Sequence, residues 1–218
     1  VPNGVDAAYF SQTYSPEVLG KLKTELGKKP GDVYLITTSR LVKKNACDDV
    51  IRALPLLPAQ VSFLIFGTGP DETMLRALVA ELGLGGRVRF MGQISHADMP
   101  KYLKVSDIYI RPSLSEGFGI VFVEAMAAGL PVVATQAGGI ADFLFDAKRN
   151  PGKPTTGWAV ERGSPKQIAE AVVEILGNPD MRAQVKATAK KMAFEKYDWN
   201  LIAANMKAIL DRLFTQPA

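Results

Sequence analysis

The feature that most constrains the fold of this sequence is an apolar strand, helix and strand pattern in its second half. Residues 107–110, Asp-Ile-Tyr-Ile, have the pattern of a buried strand, and residues 132–134 repeat it. Between them, Gly119 to Ala128 is about ten residues long and almost uniformly apolar, which predicts a helix buried on most sides. Gly129 and Pro131 end this helix. Such a unit is typical of α/β proteins.

The rest of the sequence repeats this alternation. Strands alternate with helices about six times along 218 residues, which predicts one α/β domain built on a doubly wound parallel sheet. We expect further strands at 33–38, 61–66, 88–90 and 157–160, and helices at 15–26, 48–57, 71–82, 95–105, from the 136–140 loop to 145, 164–176, 179–194 and 198–213.

Glu124 is the one charged residue in the apolar helix, and it has two interpretations. A carboxylate among Val, Phe, Ala and Met is rarely buried without a partner, so a backbone amide or an arginine is one explanation. The other is that Glu124 faces a cleft and accepts hydrogen bonds from ligand hydroxyls. Glu116 lies eight residues earlier, and the amino end of the helix between them is a natural anion site. This layout suits a ligand with hydroxyls at both ends and phosphate between, as in a nucleotide-sugar.

Two loops that follow predicted strands are further candidates for ligand contacts, because ligands bind at the carboxyl ends of parallel strands. Arg40 follows the first strand and has the fork geometry that suits phosphate. Gly67-Thr68-Gly69-Pro70 follows the second strand, where it is either a ligand-approach loop or a plain tight turn. Glu72 stands where a dinucleotide fingerprint requires its third glycine, which argues against the rival class, an NAD-dependent dehydrogenase.

The composition excludes several classes of site. With one cysteine, Cys47, and one histidine, His96, an internal disulfide, a Cys or His metal site and a Ser-His-Asp triad are not expected. We interpret both residues as structural. The net charge of +4 suits nucleotide phosphates or acidic membrane surfaces, whereas no basic run is interleaved with aromatics as nucleic-acid binding requires. No apolar run is long enough to predict a transmembrane helix.

The segment Glu116 to Glu124, E-G-F-G-I-V-F-V-E, resembles the Glu-x7-Glu motif of retaining glycosyltransferases with the GT-B fold, most of all the group called family 4. The resemblance extends over nearly the whole chain and includes P-N-G-V-D at 2–6, the glycine pair at 138–139 and the C-terminal helix. After the glycine pair, Ala141 and Asp142 stand where Pro and Glu are usual. The resemblance implies the C-terminal, donor-binding half of such an enzyme.

The resemblance also implies site roles. It implies that Glu116 binds the transferred sugar, that Glu124 binds the ribose, and that Arg40 and Lys44 bind the diphosphate. The remaining donor-binding positions would be Gly67, Gly69, Met91, Gly92, Gly117, Phe118, Gly119 and Ile120. The segment S-R-L-V-K-K-N departs from the family pattern, since Asn45 stands where the phosphate lysine is usual. Lys44 shifts into that role, or Asn45 supplies a neutral hydrogen bond, or the site is weaker; we favour Lys44.

The resemblance implies the following organisation and activity. Residues 1–14 would be an interdomain linker, 15–196 the nucleotide-sugar-binding domain, and 197–218 a C-terminal crossover helix that packs on an N-terminal domain absent from this chain. The reaction would be transfer of a hexosyl group with retention, without metal or cofactor. We expect a cytoplasmic enzyme with an option of peripheral membrane association and no nucleic-acid partner. The alternative is a noncatalytic nucleotide-sugar-binding module.

Overall fold

The structure, a computed structural model, describes residues 3–215, with side chains described for residues 3–212. The described residues form one six-stranded parallel sheet, in the spatial order β3-β2-β1-β4-β5-β6. The strands are β1 (Val33–Thr38), β2 (Val61–Phe66), β3 (Val88–Gly92), β4 (Ile108–Arg111), β5 (Val132–Ala134) and β6 (Trp158–Ala159). The predicted doubly wound α/β fold is therefore confirmed, and each predicted strand is present.

Helices cover both faces of the sheet, and each face has its own apolar core. They are α1 (Ala7–Ser11), α2 (Pro16–Glu25), α3 (Cys47–Ala53), α4 (Glu72–Glu81), α5 (Met99–Val105), α6 (Ile120–Ala128), α7 (Pro165–Gly177), α8 (Pro179–Lys196) and α9 (Trp199–Thr215). Neighbouring strand residues divide between the cores: Ile36 packs with α1, α2, α5 and α6, whereas Leu35 packs with α3, α4 and α7. Strands buried on both faces explain the continuous apolar runs in the sequence.

Several predicted helices have different bounds in the structure. The helix expected at 48–57 ends at Ala53 and continues as a 3-10 turn, Leu54–Leu56, because Pro55 lacks a backbone N–H. The helix expected from 95 begins at Met99, since Ser95 and Asp98 bond to each other in a preceding turn. Where we expected a helix from the 136–140 loop to 145, the structure has a short 3-10 turn, Gly138–Asp142.

The first segment of the chain contains a helix that we did not predict. Asp6 caps α1 by accepting a hydrogen bond from the backbone N–H of Tyr9 at 2.8 Å. Ala7 and Phe10 of α1 are buried in the core that contains α6. The segment predicted as a linker, 1–14, thus packs on the domain through its described residues. Its first two residues, and residues 216–218 of the predicted C-terminal segment, lie outside the described residues.

Candidate functional site

The predicted ligand loops meet at one edge of the sheet. In the strand order, β1 and β4 are neighbours, and the connections run outward from them in opposite directions. A crevice forms at the carboxyl ends of two such strands, and in open α/β sheets it is the usual ligand site. Arg40 follows β1, and Glu116 follows β4. The α6 helix, which begins at Ile120, places Glu124 below this crevice.

Glu124 lines a cavity of about 570 Å³ at this edge, together with Thr38, Ser39, Arg40, Gly67 and Gln93 among others. Glu124 makes no hydrogen bond or ion pair with any described residue, so the partner that one interpretation required is not found there. Burial raises the pKa of Glu124 from its ordinary value of 4.5 to about 7. A half-buried carboxylate without a partner is poised to accept hydrogen bonds from a ligand.

Glu116 lines a second cavity, also of about 570 Å³, with Val42, Lys43, Lys44 and Arg111. Arg40 lines this cavity as well as the first one. The two carboxylates of the motif therefore lie in separate compartments, and an arginine lies on the wall that these compartments share. Lys43, which we did not predict, adds a second exposed lysine beside Lys44.

Glu116 has a partner that the sequence analysis missed. Its carboxylate forms an ion pair with the guanidinium of Arg111, and the two side chains are 14% and 8% exposed. Arg111 also donates from Nε to Ser113 Oγ at 3.1 Å and lies 4.7 Å from the ring centroid of Phe122. The signal was available in the sequence: an arginine that ends an apolar strand is buried, and a buried arginine needs a carboxylate.

The backbone near Arg40 explains the departure at Asn45. Asn45 is 4% exposed, and its Nδ2 donates to the Arg40 carbonyl at 2.6 Å. The side-chain amide of Asn45 therefore bonds to its own loop, whereas the Lys44 side chain is exposed in the second cavity. The carbonyl of Lys44 accepts a hydrogen bond from the Leu114 N–H at 2.7 Å, which connects this loop to the one that contains Glu116.

Gly67 and Gly69 have a structural explanation apart from any ligand. A Cβ on Gly67 would lie 1.9 Å from the Ser39 carbonyl oxygen, and one on Gly69 would lie 2.1 Å from that of Leu41. The two loops after β1 and β2 touch through their backbones, and the Leu41 N–H donates to the Thr68 carbonyl at 3.0 Å. Gly67 also lines the first cavity, whereas Gly69 supports the loop behind it.

The glycine pair at 138–139 supports the Glu116 loop in the same way. A Cβ on Gly138 would lie 2.0 Å from the Glu116 carbonyl oxygen, and one on Gly139 would lie 2.2 Å from that of Gly117. The Gly139 N–H donates to the Gly117 carbonyl at 2.8 Å. Gly119 precedes α6 at φ 81°, and no side chain caps that end of the helix, so the helix faces the crevice uncapped.

Two other predicted donor-binding residues, Met91 and Gly92, do not line the first cavity. The Gly92 carbonyl accepts a hydrogen bond from the Gly67 N–H at 2.7 Å, and Met91 packs against the core. The next residues, Gln93 and Ile94, line the first cavity in their place.

Phe118, just before α6, and Ile120, its first residue, differ in their surroundings. The Phe118 ring packs against Phe143 and Tyr197, with centroid distances of 5.7 and 5.6 Å, while Ile120 is 38% exposed. His96, interpreted from the sequence as structural, stacks on Tyr9 at 5.2 Å and also lines the first cavity. Helix α1 thereby contacts the wall of the cavity.

The described residues contain neither a cluster of metal ligands nor a helix that could span a membrane. Among them, no group of three or more His, Cys, Asp or Glu side chains is placed to hold a metal ion. None of the helices in the described part of the chain combines the length and the apolar character that crossing a membrane requires.

Comparison with known proteins defines the class of protein. The model of the family "Glycosyl transferases group 1" matches residues 20–192, and the chain belongs to this family. A GDP-mannose-dependent monoacylated alpha-(1-6)-phosphatidylinositol monomannoside mannosyltransferase of Corynebacterium glutamicum is 29% identical over 96% of this chain and 55% of its own length. A GDP-mannose-dependent alpha-(1-6)-phosphatidylinositol monomannoside mannosyltransferase of Mycobacterium tuberculosis is 30% identical over 96% of this chain and 54% of its own length.

Solved structures agree with this assignment. The Anabaena protein HepE, solved in complex with UDP-glucose, has a TM-score of 0.85 and 27% identity over 97% of this chain and 57% of its own. The C-terminal domain of the group 1 glycosyl transferase LpcC from Francisella tularensis shows the same fold, with a TM-score of 0.75 over 90% of this chain and all of that domain. The predicted resemblance to the C-terminal domain of a GT-B glycosyltransferase is confirmed. The chain spans about half the length of the curated relatives it matches.

Proposed function

We propose that this chain is the donor-binding domain of a retaining, metal-independent glycosyltransferase of family 4. In this proposal, the enzyme moves a hexosyl group from a nucleotide-diphosphate sugar to an acceptor. The observation that carries the proposal is the position of Arg40 on the wall shared by two cavities, one with Glu124 and the other with Glu116. A nucleotide-sugar has the same order of groups, with hydroxyls at both ends and phosphates between them.

Each part of the donor then has a matching group in the site. Glu124, which has no partner among the described residues, accepts hydrogen bonds from the ribose hydroxyls. Arg40, Lys44 and the uncapped start of α6 at Gly119 bind the diphosphate, because a permanently charged guanidinium and free backbone N–H groups both favour phosphate. Glu116, with the backbone of Gly117 and Phe118 and next to the first turn at Ile120, binds the hydroxyls of the transferred sugar.

The chemistry follows from the charge that develops in the reaction. The bond between the sugar C1 and the phosphate oxygen breaks through an oxocarbenium-like transition state, and negative charge grows on the leaving diphosphate. Arg40 and Lys44 would stabilise that charge, and one preorganised donor typically contributes about 2.7–4 kcal/mol to lowering the barrier. Glu116 forms an ion pair with Arg111. This arrangement favours a role in orienting the sugar over a role as the nucleophile, because a nucleophile needs a free carboxylate.

The donor is a nucleoside diphosphate hexose in this proposal. Two named relatives depend on GDP-mannose, and HepE was solved with UDP-glucose. The base would lie near Gln93 and Ile94, one position beyond the predicted Met91 and Gly92.

The proposal includes an N-terminal domain as the partner of this one. Helix α9 exposes an apolar row in its described part: Trp199, Met206, Ile209 and Leu210 are 42–50% exposed. Such a row is typical of a surface that another domain covers. Together with the half-length match to relatives, it supports a complete enzyme in which residues 197–218 pack on an N-terminal domain. We propose a cytoplasmic enzyme, with peripheral membrane association as an option for the complete protein.

A thermal-shift panel tests the proposal. The ligands are UDP, GDP, ADP, their hexose conjugates and NAD, applied to the wild-type chain and to Arg40→Ala and Glu124→Ala. A ligand at about 100 times its Kd adds roughly 2.7 kcal/mol, which for a domain of this size raises Tm by about 5–10 °C. We expect a shift with one diphosphate series that both variants lose. The matched controls, Arg162→Ala and Glu81→Ala, remove exposed charges outside the cavities and should keep the shift. A shift with NAD alone would contradict the proposal.

The half-length match also supports the second candidate, a noncatalytic nucleotide-sugar-binding module. Donor hydrolysis or transfer catalysed by these 218 residues would rule it out. In the complete enzyme, Glu116→Gln should lower kcat while nucleotide affinity persists, whereas equal loss of both would contradict the role assigned to Glu116.

A further inference from the structure

A separate cavity of about 280 Å³ lies at the opposite edge of the sheet from the donor site. It is lined by residues that precede β4 and β5, including Ser106, Asp107 and Gly129, and by Lys104, Arg182 and Lys186. The donor site lies at the carboxyl ends of the same strands. The four residues of β4 separate the two edges by about 13 Å, at roughly 3.3 Å per residue. This cavity is therefore not part of the donor site.

Arg182 and Lys186 line one side of the cavity and belong to a row of cations on α8 that continues beyond the cavity to Lys190. Arg182, Lys186 and Lys190 follow one another at intervals of four residues, which places them on one face of the helix. None of the positions three or four residues away from them holds a carboxylate, and none of the three cations has an ion pair with a described residue. Like charges at this spacing destabilise a helix.

Some other helical cations of this chain have a carboxylate four residues further on, which the row on α8 lacks. On the same helix, Lys191 pairs with Glu195 at 3.8 Å. On α7, Lys166 pairs with Glu170 at 3.9 Å, again four residues apart. The row on α8 thus lacks the lysine–glutamate ion pairs that these neighbouring positions have.

Lys104 brings a further cation to the cavity from α5. Its Nζ donates to the Ala128 carbonyl at 2.8 Å at the end of α6. The carboxylate of Asp107, which also lines the cavity, balances only part of this charge, because its Oδ2 is already bound by Lys28 Nζ at 2.5 Å and by the Tyr34 N–H at 2.7 Å. The cavity therefore has an excess of positive charge.

The electrostatics of the lysines agree with this geometry. Burial, and then the charges of Lys190 and Lys186, lower the pKa of Lys104. Burial, and then the charge of Arg182, lower the pKa of Lys186, while Asp107 opposes the change. Both lysines are thus charged at a cost, which an anion in the cavity would offset.

We propose that this cavity is a phosphate-binding site, in which Arg182, Lys186 and Lys104 bind one phosphate group. The fork of Arg182 suits two phosphate oxygens, and the two ammonium groups supply point charges beside it. The cavity volume accommodates a phosphate with part of its water shell. The site is independent of the proposed donor site, because the residues of the two do not overlap.

The test is a titration of the 218-residue chain with inorganic phosphate, followed by the backbone amide signals in NMR spectra. We expect saturable shifts at residues 104–107, 128–130 and 182–186. The variant Arg182→Gln/Lys186→Gln should weaken phosphate binding there by about tenfold or more, because charge-assisted hydrogen bonds are lost. It should keep the wild-type Tm or exceed it, since repulsion between like charges is removed.

The matched control is Lys191→Gln/Lys196→Gln, which removes the same charge from exposed positions of the same helix. We expect it to bind phosphate at this cavity with an affinity within about twofold of the wild type, well below a tenfold change. Shifts confined to Arg40 and the start of α6, or equal weakening by both double variants, would overturn the proposal. Because the two sites report through different amides, failure here is distinguishable from failure of the donor-site proposal.

Two further arms identify the source of the phosphate group. The first is glycerol phosphate in the same titration. The second is cosedimentation with phosphatidylcholine vesicles that contain or lack phosphatidic acid. Sedimentation that needs phosphatidic acid, and that Arg182→Gln/Lys186→Gln loses but the control keeps, assigns a lipid headgroup. Binding of the soluble phosphates without sedimentation assigns a free phosphate compound.

Discussion

The two carboxylates of the central motif, eight residues apart, occupy opposite electrostatic environments. Glu116 is neutralised within the protein by the buried guanidinium of Arg111. Glu124 has no partner among the described residues, and its pKa is raised to about 7 by burial. The same residue type is thus fixed by the fold in one compartment and left available to a ligand in the other. The comparison indicates that the motif combines a carboxylate held in place by an arginine with a carboxylate whose charge changes near neutral pH.

The local structure explains this difference. Glu116 lies in the loop directly after β4, where the last strand residue, Arg111, is close enough to pair with it. Glu124 lies on α6, whose other residues are apolar and offer no polar partner. Arg40 lies between the two compartments and contributes to both.

The largest effect should come from breaking the ion pair between Arg111 and Glu116, which lies in the second cavity. In Arg111→Met, the Glu116 carboxylate loses its counter-charge while it stays mostly buried. Removing one partner of a buried ion pair typically costs about 3–5 kcal/mol. For a chain of this length we expect a fall in Tm of about 6–20 °C, measured by differential scanning calorimetry.

A double variant separates the charge effect from lost packing. Arg111→Met/Glu116→Gln leaves no isolated charge and should recover a large part of the lost Tm. The matched control Arg162→Met removes an exposed arginine and should change the free energy of unfolding by less than about 0.5 kcal/mol. A double variant as unstable as Arg111→Met would show that packing on Phe122, rather than the ion pair, is what Arg111 contributes.

The second largest effect is a dependence of stability on pH, and it comes from Glu124 in the first cavity. The pKa of Glu124 is raised in the folded chain, so its ionisation opposes folding. Stability should fall as the pH rises from about 4.5 to about 7, with a total loss on the order of 3 kcal/mol. Glu124→Gln removes this loss. We expect its Tm to exceed that of the wild type at pH 8 by about 6–12 °C and to match it near pH 4.

Glu81→Gln is the control for this experiment, because it removes the same charge from an exposed position of α4. We expect the control to change Tm little at either pH. If Glu124→Gln gave the same Tm difference at both pH values, the effect would come from side-chain shape, and the contrast between the compartments would not be electrostatic.

The sequence was sufficient for the strands and for identifying Glu124 as an isolated charge in an apolar helix, because both depend on local patterns. Continuous apolar runs predict strands buried on both faces, and a charge inside an apolar helix stands out without knowledge of its neighbours. By contrast, the pairing of Arg111 with Glu116 depends on how the chain turns after β4.

Contacts between distant segments account for what the sequence analysis missed. Gly67 and Gly69 fit ligand approach and tight turns equally well in the sequence. In the structure, a Cβ on Gly67 or Gly69 would lie 1.9 or 2.1 Å from a carbonyl oxygen of the neighbouring loop, so contact between the loops requires both glycines. The phosphate cavity combines residues from α5 and α8, about 80 positions apart in the sequence. Helix α1 is short, and its stability depends on burial of Phe10 rather than on helix propensity.

The smallest effect should come from removing the hydrogen bond that holds the loop of Arg40, the residue that lines both cavities. In Asn45→Ala, the Arg40 carbonyl loses its 2.6 Å hydrogen bond from Nδ2. A buried acceptor left unsatisfied typically costs about 1–3 kcal/mol, and we expect the low end because the Arg40 loop borders open cavities. Since Arg40 lines both cavities, affinity for the nucleoside diphosphate and for its sugar conjugate should fall by the same factor, measured by calorimetric titration. The matched control Asn178→Ala removes an exposed bond to the Glu174 carbonyl and should leave both affinities unchanged. Loss of affinity for the sugar conjugate alone would place Arg40 with Glu116 only, and the two compartments would then bind their parts of the ligand separately.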